Sequence, residues 1–152
     1  MITLDEYFRK PHSAAQEEAA EDLIERRNRL RAEWMTATGA QSCPVDPDTG
    51  CEISGKQGGD GDGGFRTPGS RTGTPNDKPP SSHRIIDDKG AGIDDYDPDN
   101  AFDNWLDQFE DGNGGNSKLA EYGLYREHPS ATPGWCHLTT RAPGSGRRTF
   151  MP

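Results

Sequence analysis

From Ala40 to Pro80 the chain is dominated by Gly, Pro, Asp, Ser and Thr, so regular structure has to be built from the segments on either side. Within that stretch only Cys51-Glu52-Ile53-Ser54 and Gly64-Phe65-Arg66 have strand character, and Gly55 to Gly64 reads as a glycine-rich connector. A loop of this length inside a compact domain is uncommon and is often functional when ordered. Asp46-x-Asp48 and Asp60-x-Asp62 have the outline of oxygen-rich calcium loops. Neither continues to the bidentate Glu such a loop needs, so both are read as solvated turns.

Before the loop, Ile2, Leu4, Tyr7 and Phe8 form a helical or extended lead-in stopped by Pro11. Ser13-x-x-Gln16 then fits a capping box, and a helix is expected over 13–39 with Gly39 as its stop. Ala19, Leu23, Leu30 and Trp34 fall on one face, supported by Ala20 and Ile24. Glu25, Arg26, Arg29 and Arg31 are expected to cover the rest. Such a helix is scaffold, facing its own core in preference to a partner's groove.

After the loop, Phe102, Trp105, Leu106 and Phe109 recur at helical spacing behind Asp99 or Asn100 as cap. A short third helix is expected from Ser117 to Tyr122, ended by Gly123. Leu124 to Glu127 and Trp135 to Thr140 read as strands joined by a Pro-containing loop. The expectation is one α+β domain over 1–152: a small antiparallel sheet with helices packed on one side. Residues 13–39 would be the scaffold helix, 40–80 a long loop region and 81–152 the core around the site.

Composition narrows the partners. Only 29% of residues are hydrophobic while Gly (19) and Pro (12) are abundant, which implies a small core with long irregular segments. Lys and Arg number 17 against 26 Asp and Glu, a formal charge of −9, and this disfavours nucleic acid, whose phosphates are bound by cationic residues. No run of 18 apolar residues occurs, and Met1-Ile2-Thr3-Leu4-Asp5-Glu6 lacks the regions of a signal peptide, so no membrane insertion is expected. Cys43 and Cys51 flank a turn and would bridge if oxidised, although reduced thiols are the default in a cytosolic product. Cys136 should point away from the face of His137 as a packed thiol.

Three motifs stand out: Ser81-Ser82-His83; Gly90-Ala91-Gly92-Ile93-Asp94 running into Tyr96-Asp97-Pro98; and Gly123-Leu124-Tyr125-Arg126-Glu127 leading to Gly134-Trp135-Cys136-His137-Leu138. A histidine, an aspartate after a small-residue turn and a second histidine suit a zinc ion with one open position. With the tail Ala142 to Phe150, these segments are similar to the zinc D-Ala-D-Ala peptidases of the lysostaphin, D-Ala-D-Ala metallopeptidase and sonic hedgehog group, above all small phage-encoded members. The resemblance implies zinc held by His83, Asp94 and His137. The interval from His83 to Asp94 is longer than in those relatives, which leaves Asp95 and Asp87 as alternative ligands.

The resemblance also implies an Arg in a Gly-aromatic-Arg strand facing a substrate carboxylate, here Arg66, a role suited to its planar fork; a plain surface arginine is the alternative. Many relatives place a glutamate three residues before the last histidine, where this chain has Gly134. The best substitute for the general base is Glu127, with His128 as an alternative proton carrier. The implied activity is cleavage of an amide in bacterial peptidoglycan stem peptides, of D-Ala-D-Ala carboxypeptidase or endopeptidase type, in phage lysis or penetration of the host wall. A monomer made in the host cytoplasm and acting at the wall after release, or carried on the virion, is expected. The rival expectation is a non-catalytic zinc-folded virion or interaction module. No nucleophile elbow or phosphate loop competes, and Arg141, Arg147 and Arg148 read as a solvated basic terminus.

Overall fold

The computed structural model describes residues 1–8, 12–54 and 91–151. The first of its helices, α1 (Leu4–Tyr7), is closed at its start by a capping box in which Thr3 and Glu6 each satisfy the other's backbone N–H. Helix α2 (Ala14–Thr38) has the expected box between Ser13 and Gln16. It ends at Gly39, which takes φ 77° at the C-cap and donates its N–H to the Met35 carbonyl. Only a residue free to adopt the left-handed region stops a helix this way without strain.

Among the described residues there are four strands: β1 (Gly92–Tyr96), β2 (Tyr125–Glu127), β3 (Trp135–Thr139) and β4 (Thr149–Phe150). They lie in the order β1-β3-β2-β4. The first two pairings are antiparallel and β2 with β4 is parallel. The sheet is therefore mixed, a correction to the antiparallel one expected. The tail after β3 turns back at Gly146, and Arg148 and Thr149 donate to the Gly114 carbonyl, so the chain reaches β2 running in its own direction. The sequence places a small-residue turn before Asp94 and no strand there, and pairing across five residues with β3 makes Gly92–Tyr96 a strand.

Helices α3 (Ala101–Asp107) and α4 (Ser117–Tyr122) sit between β1 and β2 in sequence. The start of α3 is held mainly by Asp97, whose two carboxylate oxygens accept the N–H groups of Phe102 and Asp103 at 3.0 Å each. Asp99 accepts that of Ala101, and the Asn100 side chain makes no cap bond. Asn116 caps α4, and Gly123 ends it as expected. The core gathers Leu23, Leu30 and Trp34 of α2, Ile93, Leu138 and Cys136 of the sheet, Phe102 and Leu106 of α3 and Leu119 of α4.

One helix face differs from expectation. Arg31, assigned to solvent, is fully buried, as is Arg27 one turn earlier. Both bind Asp95 from below the sheet, and the Arg31 guanidinium lies 3.8 Å from the Phe102 ring centroid and 4.7 Å from that of Trp34. Arg148 also departs from the solvated terminus. It stacks over Tyr125 at 4.3 Å and donates to the Leu124 carbonyl.

Candidate metal centre

The site follows from strand alternation. On β1, Ile93 and Asp95 are fully buried while Asp94 and Tyr96 are half-buried. On β3, Asp94 stands opposite His137, and Asp95 opposite Cys136. One face of the sheet therefore carries Ile93, Asp95, Cys136, Leu138 and Arg126, packed toward α2 and α3. The other carries Asp94 and His137. Register continues across β2: Arg126 pairs with Leu138, so Glu127, one residue further, comes beside His137. Three neighbouring strands thus place Asp94, His137 and Glu127 side by side.

Distances agree with this row. His137 Nδ1 is 2.7 Å from Asp94 Oδ1 and 3.9 Å from Glu127 Oε2. The His137 side chain is 2% exposed, and each carboxylate side chain is 17% exposed, so the imidazole is sunk between two carboxylates that still reach solvent. An imidazole nitrogen and a carboxylate oxygen facing each other across rigid strands are the donor chemistry that zinc takes. Among the described residues, however, no group of three or more His, Cys, Asp or Glu is placed to hold a metal ion. His83, the third expected ligand, lies outside the described residues, as do Asp87 and Arg66.

The structure separates the neighbouring aspartates. Asp95 is fully buried, with Arg27 and Arg31 both bonded to it, and so is committed to the opposite face from His137. Burial alone would raise its pKa; the two guanidiniums outweigh that and hold the carboxyl below the usual range. Burial likewise works against the charge on Arg27, which Asp95 and Glu52 reinforce until its pKa stands above the ordinary value. Asp94 is the aspartate that meets His137.

His128 is not brought to the pair. It is exposed at the end of β2, where its Nδ1 lies 2.7 Å from Ser130 Oγ and accepts the Ser130 N–H, capping the 3-10 turn Pro129–Ala131. It lines a separate open cleft of about 500 Å³ with Asp107, Glu110, Arg126, Arg147 and Phe150. Arg126, fully buried there, is bound by Asp103 and Glu110 at 2.8 Å and by Asp107. Cys136 is buried on the helix side, as alternation required, and burial pushes its thiol well above the ordinary pKa. An unreactive packed thiol is the consequence.

Arg27 escaped the sequence reading, although a signal was present. Arg27 and Arg31 stand one turn apart inside the apolar stripe of Leu23, Leu30 and Trp34. Charged residues in such a stripe need a buried counter-charge. No family model matches the chain, and no curated protein or solved structure matches it significantly.

Proposed function

We propose that this protein is a zinc-dependent peptidase that cleaves an amide in bacterial peptidoglycan stem peptides. The observation that carries the reading is the row Asp94, His137 and Glu127, which puts two zinc-type donors in contact and a further carboxylate beside them. His83 is the proposed third ligand and Arg66 the proposed partner of a substrate carboxylate. The hedgehog and D-Ala-D-Ala peptidase likeness of the motifs supplies the substrate class, and a phage lysis or wall-penetration role rests on the same likeness.

A bound zinc would supply a water acidified toward neutrality and a positive charge for the oxyanion. The chain's own groups do the rest. Asp94 and His137 donate from adjacent strands, so their separation is fixed by the ladder rather than by loop motion. Glu127 lies outside hydrogen-bond distance of His137, leaving its carboxylate available to take a proton from the attacking water and return it to the departing amine nitrogen. Its partial exposure gives solvent and substrate access to that carboxylate.

Metal analysis of the purified chain, followed by mass spectrometry of digested peptidoglycan fragments, tests the proposal. About one zinc per chain and new amide-cleaved fragments that vanish with chelator are expected. Zinc binding without any cleavage of cross-linked or linear stem peptides would instead establish a non-catalytic zinc-folded module. Absence of zinc binding would refute both.

A further inference from the structure

Asp94 and Asp95 are chemically identical neighbours on β1, and alternation must send one to each face of the sheet. Their own chemistry does not choose which. A one-residue slip of β1 against β3 would set Asp95 beside His137 and turn Asp94 toward the helices. Strand β1 is at the edge of the four-stranded sheet, and its outer side carries an isolated bridge between Ile53 and Asp95. There Ser54 donates to the Asp94 carbonyl at 3.0 Å and Tyr96 to the Glu52 carbonyl at 2.8 Å, so backbone bonds hold β1 on both sides, and none of them involves an aspartate side chain.

What distinguishes the two aspartates is the floor beneath Asp95. Arg27 bonds both of its oxygens, with Nη2 at 3.1 Å from Oδ1. Arg31 donates to the same Oδ1 from Nε at 3.0 Å and Nη2 at 2.6 Å, and Nη2 also reaches the Tyr96 carbonyl at 3.1 Å. All three side chains are 0% exposed. In the slipped register Asp94 would lie opposite Leu138, two residues from the place opposite Cys136 that Asp95 leaves, a displacement of about 6.6 Å and more than such bonds tolerate. Ile93 would leave the core in the same step.

We propose that Arg27 and Arg31 are positioning residues for the candidate metal pair. By holding Asp95 they lock the register of β1, so that Asp94 and not its neighbour faces His137. The functional consequence rests on the zinc reading above; the lock itself does not.

The experiment uses the full chain in two variants, Arg27→Met/Arg31→Met/Asp95→Asn, which removes the buried charges together while leaving residue 95 as polar as its neighbour, and Arg31→Lys. Lysine keeps the charge but lacks the planar fork that serves Asp95 and Tyr96 at once. In metal-free protein at fixed pH, nitrogen NMR of the His137 ring reads the Asp94 hydrogen bond, with Asp94→Ala defining its absence. Zinc titration gives the affinity. Expected are a folded triple variant whose His137 signal moves toward that of Asp94→Ala, and zinc affinity lower by about 10- to 100-fold, the loss typical when groups that orient ligands are removed. An unchanged His137 signal and unchanged affinity in the folded triple variant would overturn the proposal. If the triple variant does not fold, Arg31→Lys decides by the same readouts. Unfolding of Arg31→Lys as well would also overturn it, since the arginines would then serve stability as a whole. If the wild type binds no zinc, the zinc reading fails while the His137 signal still decides the lock.

Discussion

Single residues in this protein take their meaning from the face they occupy. Asp94→Asn and Asp95→Ala should therefore fail differently although they are neighbours. The first should lose stoichiometric zinc, measured by metal analysis, with the circular dichroism of the wild type. The second leaves two buried guanidiniums without their shared carboxylate, and removing one partner of a buried ion set costs about 3–5 kcal/mol, readable by denaturant unfolding. Equal zinc content in Asp94→Asn and wild type would remove Asp94 from the site. Glu127→Gln should keep zinc and fold while hydrolysis falls by about 10² to 10⁴, the usual share of a general acid-base group. Wild-type turnover in that variant would exclude Glu127 as the base. Because His128 is exposed and turned to its own cap, His128→Ala should leave turnover of zinc-loaded protein within a few-fold of wild type.

Among the elements, α2 was the most legible and β1 the least. The limits of α2 are written locally, in Ser13, Gln16 and Gly39, and such caps act within one turn. Ser13→Ala should cost about 1 kcal/mol in chemical denaturation without altering the site, because the Gln16 N–H that loses its acceptor lies in the first turn, well before Arg27 and Arg31. A loss of zinc in that variant at unchanged fold would show that the helix positions the site along its whole length. Strand β1, by contrast, starts at a glycine and carries two successive aspartates, a composition with little strand character. It becomes a strand because β3 pairs with it and the arginines of α2 neutralise its inward carboxylate. The pairing of β2 with β4 was equally hidden, since a two-residue strand has no periodicity to detect.

For the whole molecule, the buried ions make a pH prediction with a definite sign. The folded pKa of Asp95 lies below its unfolded value, so its contribution is complete above the ordinary Asp pKa near 4 and is lost as the pH falls below it. Measured by thermal unfolding at pH 7 and pH 3, the wild type should lose stability at the lower pH relative to the Arg27→Met/Arg31→Met/Asp95→Asn variant; a constant difference between the two would contradict the ionised Asp95. The sequence by itself determined the extent of α2, the existence of α3, α4, β2 and β3, and the residue types of a zinc-like site, because caps, apolar spacing and short motifs are properties of neighbouring residues. It determined that Cys136 and His137 oppose one another, because alternation is local as well. Only the tertiary structure decided that Arg31 is buried, that the sheet is mixed, that Asp94 rather than Asp95 meets His137, and that Glu127 and not His128 stands beside the pair. Each of those depends on register between segments distant in the chain, and register is set by what packs across the strands, which no local pattern contains.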